Sequence, residues 1–95
     1  MSTLRLLGSG SDHGTCPAVY ANPAGGLVVQ GDALPDRPGA VRVPHQLLDW
    51  LEAGMALPVE ATGTPGMLLV PGTPATPEQL AELTLAPDET AVAVP

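Results

Sequence analysis

Ninety-five residues, 44% of them hydrophobic, describe one small domain that by size scaling buries roughly 60–65% of its unfolded surface. Ten carboxylates face three arginines, Arg5, Arg37 and Arg42, with no lysine, for a formal charge of −7; such a surface repels phosphate backbones and anionic membranes, so direct nucleic-acid binding is not expected. The single Cys16 excludes an intramolecular disulfide framework.

With no Phe, and with Tyr20 and Trp50 as the two aromatic residues, Leu and Val must carry the burial, at roughly 1.5–3 kcal/mol for each enclosed side chain. Twelve prolines and eleven glycines cut the chain into short elements and favour strands and turns over long helices. Disorder competes in the Pro-rich stretches 33–39 and 71–77. The segment 1–7 has no apolar run long enough for a signal peptide, and no segment reaches the roughly 18 apolar residues of a membrane span, so a cytoplasmic location is expected.

In chain order, residues 3–7 read as a strand with Leu4 and Leu6 on one face, and 8–14 as a Gly-rich loop. Residues 15–21 and 27–30 read as strands joined by the hairpin loop 22–26. Residues 40–43 alternate, burying Val41 and Val43 and exposing Arg42. They lead into a helix over 44–53, with Leu47, Leu48, Trp50 and Leu51 at helical spacing, Pro44 near its start and Gly54 as its stop. Strands follow near 57–61 and 67–70. A second helix runs through Leu83, with Thr76 as N-cap, Pro77 first in the helix and Gln79 completing a capping box. A closing strand spans 90–94. The expected fold is a β-dominated α+β domain over 1–95, its short antiparallel strands forming a meander or small barrel with two short helices.

The pattern also echoes itself. Gly25-Gly26-Leu27-Val28-Val29-Gln30-Gly31 reappears 41 residues later as Gly66-Met67-Leu68-Leu69-Val70-Pro71-Gly72, an offset that also places Pro17 on Pro58. Ala40-Val41-Arg42-Val43-Pro44 matches Ala91-Val92-Ala93-Val94-Pro95 at 51, as a ten-residue insertion between Thr73 and Thr84 would produce. Composition alone yields some chance matches in a chain this rich in Gly, Pro, Ala, Val and Leu. A duplication into 12–53 and 54–95 stands beside that reading.

Groups able to do chemistry are few. Gly8, Gly10 and Gly14 are spaced G-x-G-x-x-x-G, with Pro17 where a helix should open, so a loop is expected in place of a dinucleotide site. Asp12, His13 and Cys16, with a distant His45, are a weak metal set because no C-x-x-C pair accompanies them. Cys16 with His13 as a thiolate and its base, and Ser9 or Ser11 with His13 and Asp12, are weaker still. Asp49 and Glu52 are expected on the solvated side of the first helix. No metal or cofactor is expected. Tyr20 and Trp50 are expected in the core, each with its polar tip on a partner; exposed, either would anchor a binding surface. The terminal strand 90–95 is expected at a sheet edge, and edges recruit partner strands.

Gly14-Thr15-Cys16-Pro17-Ala18-Val19-Tyr20, Gly26-Leu27-Val28-Val29-Gln30-Gly31 and Val41-Arg42-Val43-Pro44 before a Leu-rich helix resemble small actinobacterial proteins with a CPxxY, VVQG and VPxxL pattern, over residues 12–51. The strand layout is similar to that of the small acidic regulatory domain encoded beside helix-turn-helix regulators. That resemblance implies a non-enzymatic protein-interaction module, the acidic partner of a DNA-binding regulator or of a toxin, with Tyr20, Gln30, Arg42 and Trp50 as candidate partner-binding residues. The alternatives from other classes are a small-molecule site in the mouth of a barrel, using Cys16, Tyr20 and His13, and a self-assembling structural protein.

Overall fold

A computed structural model describes residues 3–10 and 17–95. Eight strands, all paired antiparallel in one sheet, carry the fold: β1 Arg5–Ser9, β2 Ala18–Ala21, β3 Leu27–Ala33, β4 Ala40–Pro44, β5 Glu60–Ala61, β6 Met67–Pro71, β7 Thr73–Pro74 and β8 Glu89–Val94. A 3-10 helix, His45–Trp50, follows β4, and one short α-helix, α1 Pro77–Ala81, lies between β7 and β8. This is the β-dominated organisation that the Pro and Gly punctuation predicts.

The central strand is β3, which changes neighbours along its length. One edge pairs with β8 from Leu27↔Val94 to Asp32↔Glu89. The other edge pairs first with β2, Ala18↔Gln30 to Ala21↔Leu27, and past Gly31 with β4, at Asp32↔Arg42 and Ala33↔Val41. β4 in turn pairs with β6, which continues through Gly72 into β7, and β7 pairs with β8. The pairings therefore come back on themselves, β3 to β4 to β6–β7 to β8 to β3. β1 flanks β2 with a register shift between Leu6 and Gly8, and β5 flanks β6.

Strand alternation then sorts the side chains. Val19, Leu27, Val29, Val41, Val43, Leu68, Val70, Val92 and Val94, with Leu47 from the 3-10 helix, form one buried cluster. The predominance of Val follows from its fit to a pleated, two-sided surface. The alternate positions Ala18, Tyr20, Val28 and Ala91 form a second cluster with Ala75, covered by Leu80 and Leu83 from α1 and its following turn.

Several boundaries differ from the sequence expectations, each for a local reason. The helix expected over 44–53 is a six-residue 3-10 turn: Pro44 caps it in extended geometry with no side-chain cap, no acidic residue occupies its first turn, and Leu51 is already extended. Without capping or dipole support the turn is held by the burial of Leu47 and the packing of Leu48 and Trp50 on the first cluster, and such short tertiary-held turns favour 3-10 geometry. The second helix does have its full capping box, Gln79 N–H donating to Thr76 Oγ1 and Thr76 N–H to Gln79 Oε1, yet it stops at Ala81. Leu4 and Leu6 do not share a buried face: Leu4 packs on the second cluster while Leu6 is 47% exposed, β1 beginning only at Arg5. Gly8 and Ser9, expected in a loop, belong to β1. The strand expected over 57–61 shrinks to Glu60–Ala61, and the Pro-rich stretch 71–77 contains the paired β7.

Candidate functional site

The second cluster encloses a polar pair. Gln30 is fully buried on β3, and from the diagonal position on β2 the Tyr20 hydroxyl donates to Gln30 Oε1 at 3.3 Å. Gln30 Nε2 donates to the Thr84 carbonyl at 2.7 Å, just beyond α1. Each amide function of Gln30 is thus occupied, as burial at this depth requires. Burial also raises the Tyr20 pKa, because the phenolate would lose water. This pair ties the connection after α1 to the middle of the sheet.

The three guanidinium groups are all engaged. Arg5 grips Glu52 with two hydrogen bonds, 2.8 and 3.0 Å, joining β1 to the segment after the 3-10 helix. Arg37 grips Glu60 the same way, 2.6 and 2.7 Å, joining the β3–β4 loop to β5. Arg42 reaches Asp32, its cross-strand neighbour, at 3.2 and 3.3 Å. The Arg5 hydrogen bonds hold Glu52 below the ordinary carboxylate value, and those of Arg37 do the same for Glu60. Because the sequence has no lysine, these pairs leave no arginine or lysine charge unmatched. Asp36, Asp49, Glu78 and Asp88 are exposed in addition.

Shallow depressions open among the described residues. One, of about 240 Å³, is lined by Gly26, Leu27, Gly54, Met55, Ala56 and Pro95. Another, of about 360 Å³, is lined by Thr3, Arg5, Ala21, Asn22 and Pro23. Apart from Arg5, already held by Glu52, neither presents an ionisable side chain.

The residues singled out from the sequence are dispersed. Tyr20 and Gln30 lie together beneath α1, Arg42 is exposed on β4, and Trp50 is half-buried with its indole over Gly8 of β1 and its edge against the first cluster. Asp12, His13 and Cys16, the proposed metal and thiolate set, lie outside the described residues, as do Ser11 and Gly14. His45 is exposed at the start of the 3-10 helix, its backbone N–H donating to the Gly66 carbonyl. Gly10 donates to the Pro17 carbonyl at 2.8 Å, so the chain returns from β1 towards β2 there. Asp49 and Glu52 are both exposed, with Glu52 bound by Arg5. Among the described residues, no three His, Cys, Asp or Glu side chains converge, and no helix is long and apolar enough to cross a membrane.

The ion pairs and the Gln30–Thr84 bond were not read from the sequence. Their partners are separated by 10 to 54 residues, and only the folded chain brings them together. Comparison with protein-family models, with curated proteins and with solved structures returns no match.

Proposed function

We propose that this chain is a non-enzymatic, cytoplasmic protein-interaction module that acts as the acidic partner of a basic protein, a DNA-binding regulator or a toxin. The carrying observation is the pairing of all three arginines with carboxylates, which leaves Asp36, Asp49, Glu78 and Asp88 to set the sign of the surface. A field of one sign steers an oppositely charged partner and rejects polyanions. Arg42 and Trp50, both reachable from solvent, are the candidate contact residues; Tyr20 and Gln30 act behind them by fixing the sheet on which such a contact rests.

The test is capture of partners by the tagged protein from its native lysate at low and at high salt, read by mass spectrometry. A basic or DNA-binding protein lost at high salt is the expected outcome, since ~0.5 M salt shortens the screening length to about half of its ~10 Å value at 0.1 M. A clean bait at both salts overturns the proposal.

Self-assembly is the second reading. Leu6 on the outer strand β1 is 47% exposed, and Val59 beside the outer strand β5 is 42% exposed. Free strand edges with apolar side chains favour pairing between copies. Sedimentation over a hundredfold concentration range distinguishes the readings: a constant monomer mass removes self-assembly.

A further inference from the structure

We infer that the chain is a tandem duplication whose two units interlock about an approximate two-fold axis, each unit's last strand completing the central strand of the other. The first unit is β2, β3 and β4; the second is β5, β6–β7 and β8. The sequence echo relates β3 to β6–β7 at 41 residues and β4 to β8 at 51. Those two offsets, taken from residue identities, make specific demands on strand pairing, and the ladders meet them.

The pairs between units come first. β4 meets β6 as Val41↔Val70, Arg42↔Leu69 and Val43↔Leu68. Shifting each residue to its counterpart in the other unit gives Val92 with Val29, Ala93 with Val28, and Val94 with Leu27, and these are the pairs by which β8 meets β3. The pairs within units behave the same way. Asp32↔Arg42 and Ala33↔Val41 become Thr73↔Ala93 and Pro74↔Val92, the two pairs of β7 with β8. This reciprocity, the first unit's middle strand on the second's last and the second's middle strand on the first's last, is what a two-fold relation generates.

A third correspondence lies in how closely the backbones approach. Each middle strand changes partner at a glycine, where the backbones come too close for a side chain. A Cβ on Gly31 would lie 2.6 Å from the Arg42 carbonyl oxygen, and one on Gly72 would lie 2.6 Å from the Ala93 carbonyl oxygen. Gly31 and Gly72 are related by the first offset, Arg42 and Ala93 by the second. Facing is preserved as well: Leu27, Val29, Val41 and Val43 and their counterparts Leu68, Val70, Val92 and Val94 all enter the same cluster.

The outer hairpins agree with one adjustment. Tyr20↔Val28 and Ala21↔Leu27 correspond to Glu60↔Leu69 and Ala61↔Leu68, so β2 and β5 are related at 40 residues. The second hairpin loop carries one extra residue, and the Pro17/Pro58 identity falls out of register by one. Both loops still open with a side chain folded over its own turn: Asn22 Oδ1 accepts from Ala24 N–H, and Thr62 Oγ1 accepts from Thr64 N–H. The larger insertion, between β7 and β8, contains α1.

The test cuts the full chain between its units. A protease site is inserted after the exposed Gly54, where an added Cβ would meet no atom within 4 Å, in a Cys16→Ser background carrying either Arg42→Cys with Leu69→Cys or Val28→Cys with Ala93→Cys. After cleavage and mild oxidation, each symmetric pair is expected to join the two pieces on a non-reducing gel, while Arg42→Cys with Leu68→Cys, whose side chains lie on opposite faces, does not. The cut protein without added cysteines is expected to elute as one species at the intact mass. Separation of the pieces, joining by only one of the two symmetric pairs, or equal joining by the control pair overturns the inference.

Discussion

Two related faces of this molecule, each built from strands of both halves, lie on the same interior and differ in what covers them. Inside, Val29 and Val70 are both fully buried, as are Val41 and Val92, and either half could lend its residues to the other. Outside, the face built from β2 and β3 of the first half and β8 of the second presents Tyr20, Val28 and Ala93 to α1. The positions with the same strand pairing on the face built from β5 and β6 of the second half and β4 of the first hold Glu60, Leu69 and Arg42, and there Arg37 reaches Glu60 and Arg42 reaches Asp32 in solvent. The segment carrying α1 covers the first of these faces. One insertion is therefore enough to turn a solvated sheet face into a second core, provided that the covered strands carry apolar or small residues and the buried amide of Gln30 finds the Thr84 carbonyl. An enclosed face demands apolar residues wherever it occurs, whereas the outer face follows whatever covers it.

The largest effect that tests this contrast is a charge placed at related outer positions. Val28→Glu puts an unpaired carboxylate beneath α1 and is expected to cost about 4 kcal/mol or more, enough to unfold much of the population. Leu69→Glu, on the half-exposed counterpart, is expected to cost under about 1 kcal/mol. Urea unfolding followed by Trp50 fluorescence gives both numbers, and similar losses at the two sites break the contrast. The interior makes the opposite demand. Val29→Ala and Val70→Ala each remove two buried carbons and leave a small cavity, so each is expected to lower stability by about 2 kcal/mol and by the same amount within error. A large inequality would mean that the two interiors are not equivalent.

Thr76→Ala tests the cover itself. Loss of the Thr76 hydroxyl removes the acceptor for Gln79 N–H and half of the capping box, at about 1 kcal/mol. The loss should be accompanied by faster amide exchange at Val28 and Ala91, and not at Leu69. The smallest effect is acid dependence on the solvated side. The Arg37 hydrogen bonds lower the Glu60 pKa from its ordinary value of 4.5, so the folded state binds this proton less readily than the unfolded chain. The stabilisation is present above about pH 4.5 and is lost as pH falls through the depressed folded value. Glu60→Gln is expected to flatten the wild-type decline in Tm over that acid range, and an unchanged decline would show that the pair contributes nothing.

Much of the core could be read along the chain, because a strand's two-residue period is a local property. The alternation in 40–43 places Val41 and Val43 inside and Arg42 outside, as found. The Thr76, Pro77 and Gln79 spacing marks the start of α1 for the same reason, since a capping box involves four consecutive residues. The candidate site was less legible. Tyr20 and Gln30 were singled out separately, and the hydroxyl–amide contact between them needs the register of β2 on β3. Helical spacing predicts an α-helix at Trp50, but the residue sits on a 3-10 turn over Gly8, a contact between residues 42 apart in sequence.

What the sequence determined by itself, then, is the aliphatic and largely valine interior, the short antiparallel strands, the acidic balance and the internal echo, all of which follow from residue identity and local period. Which strand lies beside which was decided only in three dimensions. β3 takes β8 on one edge and divides the other between β2 and β4, a choice that rests on the joint burial of side chains from every strand. The engagement of each arginine was decided there too, because an ion pair between distant residues exists only after the backbone has fixed the distance between them.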